Sequence, residues 1–292
     1  MDFTSIPLLA IDPVAFQLIG QFKLFGYELG PIVVRWYGLA YLAGLTLGWL
    51  YMRRLVADVR LWRGGKQPMT REQVDDFLLW ATIGTVLGGR LGFFLLYEPH
   101  ALLQNPMVFF VIWHGGMAFH GGLLGVLMAV ALFARRNKVS FLSLGDLCAA
   151  VAPIGLFFGR IANFINGEIY GRLTTMPWGV EFPLSTLAPG DLPGPRHPTQ
   201  LYEAFLEGIV LFAVLRYFTH SRLALRQPGL TGGVFICGYA LARIFVEFFK
   251  EWDFGQFFTT AYFSEGMVYS LPMLALGVYL ITRATRKQML PA

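Results

Sequence analysis

Residues 144–168 read LGDLCAAVAPIGLFFGRIANFINGE. The stretch 144–164 is apolar and of spanning length, yet it carries Arg160 and Asn163 near its end, with Asn166 and Glu168 just beyond. Such groups are expensive in hydrocarbon, so each needs a partner or a function. The run predicts a membrane-crossing helix, and the whole chain repeats its character. Of 292 residues, 55% are hydrophobic and 14% charged. That composition fits one integral membrane domain over 1–292 with few residues outside the bilayer. Its many Phe, Tyr and Trp suit lipid-facing and interfacial positions. Cys148 and Cys237 fall in apolar segments and read as small buried hydrophobes, with no disulfide framework and no metal spacing. The N-terminus has no basic leader followed by a small-residue cleavage site, so it does not read as a cleaved signal peptide.

Seven spans are predicted, at 32–52, 75–97, 117–134, 144–164, 201–219, 230–250 and 266–283. The fold expectation is therefore an all-α, seven-helix transmembrane bundle. The net charge of +5 resembles a nucleic-acid signal only until the charges are placed on that frame. Most basic residues, among them Arg53, Arg54, Arg135, Arg136, Arg222, Arg226 and Arg286, then fall on one side. Lys23, Arg35, Arg172, Arg196 and Lys250 fall on the other. Arg90, Arg160 and Arg243 lie within spans. The positive-inside rule puts the richer side in the cytoplasm, hence the N-terminus outside and the C-terminus inside. No nucleic-acid partner is expected. Residues 1–31 are too interrupted by Gly and Pro to span and are placed as an interfacial arm on the outer face. The Pro- and Gly-rich segment 165–200 is expected to form a small periplasmic cap of irregular or short β structure. Glycines four apart, such as Gly84, Gly88 and Gly92, or Gly121 and Gly125, predict close helix packing and name no chemistry.

Depth brings the polar residues together. Arg160 lies roughly 24 Å along its helix from Leu144, at 1.5 Å per residue. Arg90, Arg243, His120 and Tyr37 fall in the same outer half of the bilayer. Three arginines in one layer suggest a shared anion or a water-filled cavity facing the bundle interior. Arg160, Asn163, Gly167 and Gly171 share a face if the helix continues. Tyr239, Arg243 and Glu247 stand at i, i+4 and i+8, so Glu247 can hold the Arg243 guanidinium. A self-satisfied ion pair and a ligand site both fit that spacing. His120 has glycines on both sides, at Gly115-Gly116 and Gly121-Gly122, which leave room for a ligand beside an imidazole able to accept a proton. A structural histidine is the competing reading. His114 reads as an interfacial loop residue, and Arg196-His197-Pro198 as a loop anchor before a helix start. No zinc-protease, nucleophile-elbow or phosphate-loop motif occurs, so no metal or nucleotide is expected. No Ser, Thr or Cys is an evident activated nucleophile, which leaves the nucleophile to a substrate. The residues alone describe an anion site for a lipid headgroup.

Six pieces carry a resemblance across nearly the whole chain: 35–39, RWYGL; 87–92, LGGRLG; 116–122, GMAFHGG; 159–168, GRIANFINGE; 196–203, RHPTQLYE; and 243–249, RIFVEFF. In this order they resemble the bacterial prolipoprotein diacylglyceryl transferases. The resemblance implies an enzyme of the inner membrane with its site open to the outer leaflet. It implies transfer of the diacylglyceryl group of phosphatidylglycerol to the lipobox cysteine of a prolipoprotein signal peptide, with release of glycerol phosphate and no cofactor. It also implies roles: catalysis by His120, Arg160 and Arg243, and substrate binding by Tyr37, Asn163, Glu168, Gly171, Tyr239, Glu247 and Arg90. His120 would take or relay the thiol proton while the two arginines clamp the phosphate. Lys250 departs from the family, standing where an arginine often follows the two phenylalanines. A lipid or anion transporter with an intramembrane arginine site is the rival from another class. It predicts access from both faces, and the polar layer here is biased to one. An intramembrane protease lacks its serine elbow or aspartate pair.

Overall fold

A computed structural model of the chain describes residues 6–7, 12–24, 27–29, 31–111, 115–251 and 263–289. His114 lies outside them. Two short antiparallel pairs build the described part of the N-terminal arm. Strand β2 (Val14–Ile19) pairs with β5 (Ile32–Arg35), and between them β3 (Phe22–Leu24) pairs with β4 (Tyr27–Leu29). The β-branched run Ile32-Val33-Val34 favours a strand, so the first helix starts at Trp36 and not at the expected residue 32. Strand β1 (Ile6–Pro7) runs parallel to β6 (Val180–Glu181), which pairs antiparallel with β7 (Pro195–Arg196). The arm and the 165–200 segment are thus joined by one small sheet.

The long helices follow the expected order. They are α1 (Trp36–Ala57), α2 (Arg71–Leu96), α4 (Phe119–Asn137), α5 (Phe141–Asn166), α8 (Leu230–Glu247) and α9 (Glu265–Met289), with a short α3 (Pro99–Gln104) after α2. Between α5 and α8 runs one continuous helix of three parts: α6 (Thr199–Glu203), a π-helical stretch Ala204–Val210, and α7 (Leu211–His220). Among the described residues, five helices, α2, α4, α5, α8 and α9, are long and apolar enough to cross a membrane. Their outward faces keep large apolar side chains such as Leu79, Leu87, Leu124, Phe245 and Leu271 exposed, as lipid contact demands. In α2, Thr70 and Gln73 close a capping box.

Glycines set the helix spacing. A Cβ on Gly84, Gly88 or Gly92 would overlap the backbone of Gly121 or Gly125 on the facing α4. The large apolar core, with Leu55, Trp62, Phe77, Phe133, Leu144 and Leu147, gathers around the first turns of α5. Arg160 lies at the other end of that helix, roughly 20 Å away. The α8 N-terminus is tied to α5 by buried Asp146, which accepts hydrogen bonds from the backbone N–H of Gly229 and Gly232, both at 2.7 Å.

Candidate active site

The site is assembled where α5, the π-helical stretch and α8 meet. Gly208 allows the approach: a Cβ there would lie 2.7 Å from Cβ of Phe157, one turn before Arg160. The π-helical stretch begins just after Glu203 and contains Glu207, and both carboxylates are fully buried. A buried carboxylate is tolerated only when paired, and Glu203 is paired three times. Its Oε2 lies 3.1 Å from Arg160 Nε, and its Oε1 lies 2.5 Å from Arg243 Nη1 and 2.9 Å from Lys250 Nζ. Arg243 reaches on to Glu247 at 2.5 Å, the i, i+4 pair read from the spacing. Arg160 Nη2 stands 3.5 Å from Glu207 Oε2. The arginine side chains stay 17% and 23% exposed, so neither is fully enclosed by its ion pairs. Tyr239 completes the group, close enough to interact electrostatically with Glu207 and both arginines.

A second polar group forms at the end of α5. The helix does not continue through Gly167 and Gly171, as a shared face would need. It stops at Asn166, because Gly167 adopts a left-handed φ of 68°. That turn folds Glu168 back, where its Oε1 accepts from Asn163 Nδ2 at 2.7 Å and Asn166 Nδ2 at 3.5 Å. The Tyr37 hydroxyl lies 3.4 Å from the Tyr41 hydroxyl and stands near Asn163 and Glu168. Tyr37 is thus grouped with the Asn163–Glu168 pair. Gly171 serves the backbone: a Cβ would overlap the Phe249 carbonyl, and its N–H donates to His197 O at 2.9 Å.

The 196–203 stretch is an anchor, as read. Buried Arg196 bonds Glu251 at 2.9 Å and lies 4.9 Å from the Tyr170 ring. His197 Nδ1 lies 3.0 Å from the Tyr202 hydroxyl, which accepts from Trp178 Nε1 at 2.8 Å. Burial, and then the Arg172 charge, hold the imidazole below its ordinary pKa.

Two expected residues stand apart from the arginine pair. Arg90 is buried and spends all five N–H donors on the carbonyls of Val108, Phe109, Val111, Gly115 and Gly116. It braces the loop before α4 and has no donor left for a substrate. His120 opens α4 and is exposed, with its ring between Phe119 and Tyr269 at centroid distances of 5.6 and 6.4 Å. Among the described residues it makes no hydrogen bond to either arginine.

The model of the family described as prolipoprotein diacylglyceryl transferase matches residues 25–283. The chain belongs to that family. Its similarity to curated relatives runs nearly end to end. It is 53% identical to the phosphatidylglycerol–prolipoprotein diacylglyceryl transferase of Rhizobium meliloti (strain 1021), over 96% of this chain and 94% of the relative. For the protein of the same name in Phenylobacterium zucineum (strain HLK1), identity is 48% over 91% and 93%. The sequence reading did not single out Glu203 and Glu207, the carboxylates that the structure places against Arg160. The signal was present: two carboxylates four apart inside a predicted span are as costly as an arginine there.

Proposed function

We propose that the protein transfers the diacylglyceryl group of phosphatidylglycerol to the lipobox cysteine of a prolipoprotein, the first step of lipoprotein maturation. The observation that carries this reading is the joining of Arg160 and Arg243 through one buried carboxylate, Glu203. It holds two guanidiniums on one buried anion, with both side chains partly exposed, which suits a phosphate. The shared name of the relatives supplies the substrates.

In the reaction, the cysteine thiolate attacks the glyceryl carbon that bears the phosphate ester. A C–S bond forms, the C–O bond breaks, and the electron pair leaves on the phosphate oxygen. A free thiol has a pKa of about 8.5, so it must lose its proton first. His120 takes or relays that proton. Its place outside the cation group suits approach of the peptide from the α4 side. Arg160 and Arg243 stabilise the departing phosphate, and Tyr37, Asn163, Glu168, Tyr239 and Glu247 orient headgroup and cations. The frame is seven spans in the bacterial inner membrane. Helix α1 and the composite α6–α7 supply the two beyond the five apolar helices. The arm and the 165–200 cap lie outside. The transporter reading finds less support, since the relatives are named as transferases.

Purified protein, phosphatidylglycerol and a lipobox peptide test the proposal together. Mass spectrometry is expected to find a thioether-linked diacylglyceryl peptide. Lipid movement without that product would favour the transporter.

A further inference from the structure

Glu207 is a charge that the reaction as proposed does not use. It is fully buried, its Oε2 meets Arg160 only at 3.5 Å, and its Oε1 has no hydrogen-bond partner among the described residues. Glu203, by contrast, has three cations within 3.1 Å. The charges that face one another here are Arg160 from α5, Arg243 and Glu247 from α8, Lys250 just after it, and Glu203 and Glu207 from the composite helix, with the Tyr239 hydroxyl among them. Three cations stand against three carboxylates. A site shaped only to bind phosphate tightly would keep a positive excess. This one holds a weakly compensated carboxylate against the same guanidinium that faces the anion.

Coulomb repulsion from a fixed charge acts twice as strongly on a dianion as on a monoanion. The proposed reaction begins with a phosphodiester monoanion. It ends with a phosphomonoester, which is mostly dianionic at neutral pH because its second pKa is about 6. We propose that Glu207 is a specificity residue: its carboxylate tunes the Arg160–Arg243 site to hold a phosphodiester monoanion and to release a phosphomonoester dianion. The inference rests on the transfer reaction proposed above.

The test is anion binding by the purified full-length protein at pH 7.5, using glycerol phosphate and glycerophosphoglycerol as probes. Titration calorimetry reads affinity, and inhibition of thioether formation reads the effect on turnover. The readout is the ratio of monoester to diester affinity in each protein, because the attraction of the three cations is common to wild type and variant. Glu207→Gln is expected to raise that ratio roughly tenfold over wild type by binding the monoester more tightly, and Glu207→Asp to behave as wild type. Equal or weaker monoester binding by Glu207→Gln overturns the inference. If that variant does not fold, Glu207→Leu is read in the same way: a ratio no higher than that of wild type overturns it. Absence of thioether product in wild type rejects the transfer reaction instead, while the two affinities still decide the role of Glu207.

Discussion

At the residue scale, the site turns on carboxylates that hold cations. Glu203 is the hub, since removing it would leave two arginines and a lysine without their shared partner. Arg160→Lys keeps the charge and loses the planar fork. It is expected to lower transfer by roughly a hundredfold or more, the scale of one lost transition-state donor. Full transfer by Arg160→Lys in the peptide assay would remove the phosphate clamp from the account. His120→Gln is expected to cost about a hundredfold across pH 6 to 8, as loss of a general base does. A near-normal rate would mean that the arginine field alone generates the thiolate. His197 carries a pH dependence with a defined sign. Held below its ordinary value by burial and Arg172, it binds fewer protons folded than unfolded. Its stabilisation is complete above about pH 6.5 and is lost as pH falls toward the lowered value. Hydrogen-exchange protection over 171–199, corrected for the intrinsic pH dependence of exchange, is therefore expected to fall as pH drops from 7 to 5, and less so in His197→Asn. An equal loss of protection in both proteins would place the titration elsewhere.

At the element scale, two devices set where the site residues stand. The glycine faces of α2 and α4 allow backbone contact, and Gly88→Leu must push the helices apart. It is expected to cost about 3 kcal/mol or more, an overpacking effect at the severe end, read as a lowered thermal midpoint in detergent. Asp146 ties α8 to α5, and Asp146→Ala would leave the Gly229 and Gly232 N–H groups without their acceptor. A loss of about 2–3 kcal/mol is expected, because two backbone donors would lose the same buried acceptor. An unchanged midpoint would show that water or a shifted carbonyl replaces the carboxylate. The π-helical stretch is the element that sequence pattern least revealed. It has no composition signal, and its Gly208 packs on Phe157, a contact that no local pattern announces. The end of α5 failed to follow a simple 3.6-residue count for a similar reason. Gly167 looked like one more small residue on a helical face, and its left-handed φ made it a stop.

At the scale of the whole molecule, apolar runs located the long helices to within a few residues, because length and hydropathy act locally. The β arm was less legible: its pairing joins residues far apart, as when Ile6 meets Val180. The arginine layer was legible as cost, since a charge in a span must be explained. Which arginines share a ligand face was not. Arg90 and Arg160 read alike in sequence, yet one is consumed by five carbonyls and the other is paired with two carboxylates and stays partly exposed. The proposed topology is tested by cysteine labelling from either side of sealed vesicles. Positions near Arg63 are expected to label only from the cytoplasmic side, and positions near Arg172 only from the outer side. The central claim, that two arginines locked on Glu203 run diacylglyceryl transfer, is tested most directly by one measurement. Thioether formation on a lipobox peptide is followed with purified wild type and with a folded Glu203→Gln variant. The account predicts product from wild type and a rate at least a hundredfold lower from the variant, with glycerol phosphate released in equal amount to the product. No thioether from wild type, or an undiminished rate from Glu203→Gln, would contradict it.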